Sequence, residues 1–333
     1  MTDLAALRPA FDRLKAGNPA RRLTFGFAER RKALARLGQV VRDHRDAIAA
    51  AVAADMGKHA VEADLVEVMP VLSEISHCQK HLRGWMRPRA VWPTLLMLGT
   101  SAALHPEPKG VALVIAPWNF PFLLALAPVI SAIAAGNAVI IKPSELSPAT
   151  SALLYSLISA NFATEDIACV EGDAEVAKEL LSLPFDHIFF TGSTAIGKVV
   201  MRAAADHLAS VTLELGGKSP AVITESAALE KAAEKIVWGK YLNVGQTCIA
   251  PDYVMLPEHL LEKFVDLAAE NINKLFTLNG QLNTEAYGSI INNRHFDRQK
   301  KLFDDAIAKG AKLRIGGQFD ADALRISPTV LSN

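Results

Sequence analysis

The stretch Gly110–Ile141 contains no charged residue, and no other part of the sequence limits the fold as strongly. On length alone it meets the criterion for a membrane-spanning helix. Pro117, Asn119 and Pro121 interrupt it, however, and a β-branched run gives way to a run rich in alanine and leucine. A buried strand, a turn and a buried helix produce this pattern. We therefore predict an α/β core here and no membrane segment.

Apolar residues recur at helical spacing from Leu4 to about Met86, for example Leu34, Leu37 and Val41, and predict a helical opening. Pro88 and Pro93 then break the helical pattern, so the segment from Trp92 to His105 is predicted to be an extended excursion.

Strand-like and helix-like segments alternate from Val111 to Leu215. We predict strands at residues 111–116, 138–141, 167–171, 187–190 and 211–215, separated by helices at 122–135, 148–160, 174–183 and 195–208. Such a series predicts a doubly wound parallel sheet with helices on both faces, whose ligands bind beyond the carboxyl ends of the strands. The regular alternation ends after Pro220, and a chain of 333 residues is long enough for a second domain.

Charge argues against two classes of partner. The chain has 35 Lys and Arg residues and 35 Asp and Glu residues, so it lacks the net charge typical of proteins that bind nucleic acid or anionic membranes. Small molecules and other subunits are the expected partners. The first residues do not show the charged-then-apolar order of a secretory signal, so we expect a cytoplasmic protein.

The three cysteines have no metal-type spacing, and we predict free thiols and no metal site. Cys169 lies in an apolar strand and Cys78 in a helical segment, where thiols mostly behave as small hydrophobic groups. Cys248 instead lies among small and polar residues between Gly245 and Pro251. This setting favours an accessible thiol, which makes Cys248 the candidate nucleophile.

Two polar residues at predicted strand ends are further candidates. Glu214 is the one acidic residue in 211–217, and burial there would raise its pKa into the range of a general base. The alternative is a capping glutamate or an ion pair with Lys218. Asn119 can donate its amide N–H to a developing oxyanion, or it is an ordinary turn residue.

Two more motifs are suited to a nucleotide. Phe190–Gly197 leads from a strand into a helix through a glycine turn, where backbone N–H groups can hold a phosphate. It matches neither standard phosphate-binding fingerprint completely, and a simple helix N-cap is the alternative. Lys142 and Glu145 offer a donor and an acceptor to ribose hydroxyls, or they form a solvated ion pair.

These motifs, in this order, resemble the aldehyde dehydrogenase superfamily, and the resemblance covers nearly the whole chain. Its segments are Pro117–Pro121, Lys142–Glu145, Phe190–Gly197, Leu213–Pro220 and Gly245–Cys248. Details such as Phe185–His187 and Ala250–Tyr253 resemble the class 3 and coniferyl aldehyde dehydrogenases.

The resemblance implies a role for each catalytic candidate. Cys248 is the nucleophile, Asn119 and the Cys248 backbone N–H form the oxyanion hole, and Glu214 activates the hydrolytic water. The implied reaction is thiolate attack on an aldehyde, hydride transfer from the thiohemiacetal to a nicotinamide, and hydrolysis of the thioester to a carboxylic acid. The resemblance also favours an aromatic or medium-chain aldehyde as the substrate.

The resemblance also implies a cofactor site. Lys142 and Glu145 bind the adenosine ribose, Ser193 and the turn from Gly192 to Gly197 bind the pyrophosphate, and the carbonyl of Leu215 meets the nicotinamide amide. Ile115, Trp118 and Ile196 line the cleft. Glu145 repels a 2′-phosphate, so NAD is favoured over NADP.

The aldehyde dehydrogenase fold implies three regions. These are a dinucleotide-binding domain at 1–84 and 106–217, a bridging and oligomerisation segment at 85–105, and an incomplete catalytic domain at 218–333. The full-length protein is expected to be a homodimer. The family's downstream Glu-Ile-Phe-Gly-Pro motif is absent before Asn333, so we expect a C-terminally truncated chain that binds its cofactor poorly.

Three other functions are distinguishable. A CoA-acylating or phosphorylating relative passes the acyl group to a thiol or phosphate, and Glu214 argues against the CoA-acylating alternative. A cysteine hydrolase would pair Cys248 with one of nine histidines, but none lies in the strand-end motifs. A catalytically silent binding or structural protein would show neither nicotinamide binding nor a reactive Cys248.

Overall fold

The structure is a computed structural model that describes residues 4–333. It contains two compact units: the first is the chain up to Ile48 with Asp64–Glu214, and the second is Ala49–Ala63 with Leu215–Asn333. The sequence predicts a boundary at residues 217–218 and places 49–63 in the first domain. The structure groups that segment with the second unit, where Met56 accepts a hydrogen bond from the Ser289 amide.

The N-terminal part of the chain is helical, as predicted. Its helices are α1 (Leu4–Thr24), α2 (Phe27–Asp43), α3 (Arg45–Met56), α4 (Ala60–Ala63) and α5 (Met69–Trp85). A single π-helical turn at Asp64–Val68 precedes α5. The apolar positions predicted from helical spacing, Leu34, Leu37 and Val41, are buried on one face of α2. Periodicity therefore identified the packed face of this helix correctly.

A small exposed excursion follows α5, as the prolines predict. It is an antiparallel pair of strands, β1 (Arg89–Val91) and β2 (Ala102–Leu104), joined through a 3-10 turn at Leu95–Met97. Every residue of both strands is exposed.

The predicted alternation of strands and helices is confirmed in the first unit. Its elements are β3 (Val111–Ile115), α6 (Leu123–Ala135), β4 (Ala138–Lys142), α7 (Pro148–Asn161), β5 (Ile167–Cys169), α8 (Ala174–Leu181), β6 (His187–Thr191), α9 (Thr194–Ala205) and β7 (Ser210–Glu214). The strands form one parallel sheet in the order β5-β4-β3-β6-β7. β3 and β4 are buried along their whole length, which explains why Gly110–Ile141 has no charge; the first charged residue after it, Lys142, is the last residue of β4.

Several predicted elements run one to three residues past the observed ones. The helix predicted to reach residue 208 ends at Ala205, because Leu208 has a positive φ of 55° that a right-handed helix cannot include. The strand predicted to reach residue 171 ends at Cys169. At the other end of the series, Gly136 stops α6 with a φ of 93°, as the sequence predicts.

The second unit has less regular structure. Its elements are β8 (Ser219–Val222), α10 (Leu229–Tyr241), β9 (Pro251–Met255), α11 (Leu261–Phe276), β10 (Thr277–Leu278), β11 (Gln281–Leu282), α12 (Asn293–Ala308), β12 (Lys312–Ile315), β13 (Phe319–Asp320), β14 (Arg325–Ile326) and β15 (Val330–Ser332). β8 and β9 are parallel. Buried residues of α10 and α11, among them Val237 and Phe264, form its core. No helix in the described part of the chain is long and apolar enough to cross a membrane.

Candidate active site

The carboxyl ends of the strands in the first unit bring the predicted nucleotide motifs to one edge of the sheet. Ile115 at the end of β3 lies in register with Lys142 on one side and Phe190 on the other. Thr191 at the end of β6 lies beside Glu214. The residues that follow these strands therefore share the edge where parallel sheets bind ligands.

Asn119 lies half-buried in the loop between β3 and α6. A glutamate fixes the end of this loop. The Glu67 carboxylate is completely buried and accepts hydrogen bonds from the backbone N–H groups of Phe122 and Leu123, at 3.2 and 2.9 Å. It satisfies donors at the start of α6, where a negative charge is favourable. Sequence reasoning missed Glu67, and its signal is a single acidic residue between Val66 and Val68.

Lys142 and Glu145 form an ion pair whose two side chains differ in exposure to solvent. Lys142 Nζ lies 2.7 Å from Glu145 Oε2 and also donates to the Pro143 carbonyl. The lysine side chain is buried, whereas the glutamate side chain is 43% exposed. The alternative of a solvated pair is therefore wrong for the lysine. The pair presents an anchored donor and a partly free acceptor at the sheet edge.

The turn after β6 leads into α9. Ser193 is the N-cap of α9, and its hydroxyl accepts a bond of 3.4 Å from the Ile196 N–H. The N-cap alternative is therefore what the structure shows, and an N-cap is compatible with anion binding because the helix dipole and first-turn N–H groups remain. Ile196 is 51% exposed, while Gly197 is buried. Trp118 is half-buried.

The exposure of Glu214 differs from the prediction. The sequence predicts a carboxylate among buried neighbours, but Glu214 is exposed at the end of the edge strand β7, whose other residues are half-buried. The predicted burial of this carboxylate is therefore wrong. Lys218, the alternative partner, lies in the second unit and pairs with Asp252 at 2.7 Å. An exposed carboxylate at this edge has free access to water.

Cys248 is the exposed thiol of the chain, whereas Cys78 and Cys169 are buried. Burial raises the pKa of both buried thiols to about 12, and a neighbouring glutamate adds to each shift. Cys248 occupies a turn just before β9. The backbone of Gly217 approaches this turn so closely that a Cβ there would lie 3.2 Å from the Cys248 carbonyl oxygen. Leu215 begins the second unit and is half-buried.

An unusual backbone precedes Cys248. Asn243, Val244 and Gly245 have φ values of 52°, 57° and 76°. Glycine adopts this left-handed region readily, but a β-branched residue such as valine does so rarely. The Gln246 side chain stabilises the turn: it donates to the Ser289 carbonyl at 3.1 Å and accepts from the Ile291 N–H at 3.0 Å. Gln246 of the Gly245–Cys248 motif therefore stabilises the backbone next to the cysteine.

The structure groups Asn119 and Glu214 with the first unit and Cys248 with the second. The nucleotide motifs from Ile115 to Gly197 come together at the sheet edge of the first unit, as predicted. The catalytic and binding roles of all these residues stay predictions.

Comparisons with known proteins give one family. The model of the aldehyde dehydrogenase family matches residues 12–333. Aldehyde dehydrogenase family 3 member A2 of Macaca fascicularis is 42% identical over 89% of this chain, which spans 60% of that relative. The coniferyl aldehyde dehydrogenase of Pseudomonas sp. (strain HR199 / DSM 7063) is 40% identical over 98% of this chain, which spans 68% of it.

A solved structure supports the same conclusion. The substrate-bound state of Staphylococcus aureus AldH has a TM-score of 0.91 and 35% identity, and the match covers 99% of this chain and 70% of that one. The predicted resemblance to class 3 and coniferyl aldehyde dehydrogenases, and the predicted fold, are thus confirmed. The chain belongs to the aldehyde dehydrogenase family.

Proposed function

We propose that the protein oxidises an aldehyde to a carboxylic acid, with Cys248 as the nucleophile. The exposure of Cys248, on a turn built around three left-handed residues, is the observation that carries this proposal. Strained backbone of this kind is typical of functional sites. The buried thiols of Cys78 and Cys169 are poor nucleophiles because their pKa values are near 12.

In the proposed reaction the Cys248 thiolate attacks the aldehyde carbonyl carbon to give a thiohemiacetal. The Asn119 amide and the Cys248 backbone N–H donate to the resulting oxyanion. Loss of hydride leaves a thioester on Cys248. Glu214, which is exposed to solvent, accepts a proton from the water that hydrolyses this thioester and releases the acid.

The residues at the sheet edge fit a nicotinamide dinucleotide, which supplies the hydride acceptor when it is bound. Lys142 Nζ would donate to the hydroxyls of a ribose, and the Glu145 carboxylate would accept from them. The N-terminus of α9 at Ser193 suits a pyrophosphate. The negative charge of Glu145, which is 43% exposed, disfavours a 2′-phosphate, so we propose NAD over NADP. Ile115, Trp118 and Ile196 supply apolar surface for the cofactor, and the Leu215 carbonyl accepts from the nicotinamide amide.

The substrate and assembly belong to the same proposal. The substrate that we propose is an aromatic or medium-chain aldehyde, and the name of one relative, a coniferyl aldehyde dehydrogenase, supports the aromatic choice. The exposed excursion at residues 85–105 is the proposed contact of a homodimer, because it displays apolar side chains to solvent.

Glu214→Gln and Cys248→Ser test the proposal with an aldehyde panel and NAD⁺. In the Gln variant we expect about one NADH per Cys248 and an acyl group on the Cys248 peptide in mass spectrometry, because the thioester forms but is not hydrolysed. The Ser variant should form neither. Steady turnover by Glu214→Gln at the parent rate, or acyl-CoA formation when CoA is added, would contradict the assigned role of Glu214.

A further inference from the structure

A carboxylate from a distant part of the sequence supports the turn before Cys248. Glu62 lies on α4, and its Oε1 accepts a hydrogen bond of 2.9 Å from the Asn243 N–H, although 181 positions separate the two residues. Asn243 is only 2% exposed. A buried backbone N–H without an acceptor is costly, so this bond favours the left-handed turn over alternatives that would lose it.

A second set of hydrogen bonds connects the same turn to Met56, which lies in the segment that carries Glu62. Gln246 donates to the Ser289 carbonyl, and the Ser289 N–H donates to the Met56 carbonyl at 2.9 Å. The contact is tight, because a Cβ on Gly288 would lie 2.6 Å from the Met56 oxygen. Met56 and Glu62 both belong to the segment 49–63. This segment is therefore hydrogen-bonded to the turn at Asn243, and through Ser289 at Gln246.

The environment of Glu62 is consistent with a fixed carboxylate. Burial raises its pKa, whereas Lys58, the Asn243 N–H and His59 act in the opposite direction. Lys58 is 2% exposed. These three groups offset part of the effect of burial, and the net result is a raised pKa for a carboxylate that is hydrogen-bonded in place.

We propose that Glu62 is a positioning residue for Cys248: by accepting the Asn243 N–H, it holds the left-handed turn that orients the thiol. This inference rests on the proposed role of Cys248 as the nucleophile. Glu62 itself touches no reacting atom in the proposed reaction, and it lies outside every motif that the sequence singled out.

Three variants test this role in the present chain. Glu62→Leu removes the acceptor at similar volume, Glu62→Gln keeps an acceptor oxygen, and Glu74→Leu is the control, a half-buried glutamate on α5 in the first unit. Hydrogen exchange of the 243–250 amides and the iodoacetamide rate of Cys248 are measured for each. In Glu62→Leu we expect exchange about tenfold faster and alkylation about fivefold slower.

Rescue by the conservative variant decides the outcome. Glu62→Gln should stay within about twofold of the parent, and so should Glu74→Leu. The inference is overturned if a folded Glu62→Leu matches the parent, or if Glu62→Gln loses as much as Glu62→Leu. If Glu62→Leu does not fold, Glu62→Asp replaces it, since its shorter reach should impair the turn where Gln does not.

The two proposals can fail separately. If Cys248 of the parent reacts no faster than a free cysteine peptide, the nucleophile assignment fails, and the exchange data alone decide whether Glu62 holds the turn. If Cys248 is fast in the parent and equally fast in Glu62→Leu, only the role of Glu62 fails.

Discussion

Cys248 is exposed, whereas the thiols of Cys78 and Cys169 are buried and have raised pKa values. With pKa values of about 12, Cys78 and Cys169 carry only about one thiolate per ten thousand molecules at about pH 8. Both are also buried. We therefore expect iodoacetamide at this pH to label Cys248 alone in the native protein, as measured by peptide mass spectrometry. Labelling of Cys169 at a comparable rate without denaturant would show that this assignment is wrong.

His187 makes a pH-dependent contribution to the free energy of unfolding. Its ring contacts the hydroxyls of Ser210 and Thr212 at 2.8 and 3.3 Å. Burial lowers its pKa, and the nearby charge of Lys109 lowers it further. The unfolded chain therefore takes up a proton on this histidine first, as pH falls through about 6.5, and the folded state loses stability below that pH.

We expect His187→Gln to reduce the loss of unfolding free energy between about pH 7 and pH 5, because the variant lacks this titrating group. Urea unfolding at each pH measures the effect. His207→Gln, at an exposed position, is the control and should keep the parent's pH dependence. Identical pH dependence in His187→Gln and the parent would refute the contribution.

At the scale of elements, the loop between β3 and α6 depends on Glu67. Glu67→Leu leaves the N–H groups of Phe122 and Leu123, buried and half-buried, without this acceptor, so we expect a loss of about 2 kcal/mol in unfolding free energy. Both N–H groups donate to the same oxygen, Oε2, so in Glu67→Gln the amide oxygen can still accept both, and we expect about half the loss because the negative charge is gone. Urea denaturation provides the measurement. Glu175→Leu, an exposed first-turn glutamate of α8, should change stability by less than about 0.5 kcal/mol.

Three strands of the first unit, β3, β4 and β5, were predictable because they are buried along their length and are therefore almost entirely apolar. β3 and β4 show this directly. The roles of Glu62 and Glu67 were not predictable, because each carboxylate accepts from a backbone N–H that is distant in sequence. The environment of Glu214 was also mispredicted. Its strand is at the sheet edge, and sequence does not reveal which strand takes that position.

At the scale of the whole molecule, the motifs at the strand ends were enough to identify the family. The division of the chain into two units depends instead on contacts between segments that are distant in sequence. The segment 49–63 reads as one more amphipathic stretch of the N-terminal helices, yet it packs with the second unit. Helical periodicity shows that a face is buried without showing which element covers it. The chain spans 60–68% of the length of the two curated relatives, so their whole activity is carried over only as a proposal.

The excursion between α5 and β3 allows a prediction about assembly. Trp92, Leu95 and Leu96 are 93%, 86% and 96% exposed, close together in sequence at one hairpin. An apolar group of this kind is unfavourable in water and typical of protein interfaces. We expect the double variant Trp92→Asp, Leu96→Asp to weaken self-association at least tenfold, equivalent to about 1.4 kcal/mol.

Sedimentation equilibrium over a range of concentrations measures that change. Leu208→Asp is a matched control, because Leu208 is 93% exposed but lies after α9, away from the hairpin in sequence. If exposed apolar surface in general drove association, the control would weaken it as much as the double variant. A specific hairpin contact predicts that only the double variant shifts toward monomer. A parent chain that stays monomeric at every concentration would refute the hairpin as a dimer contact in this chain.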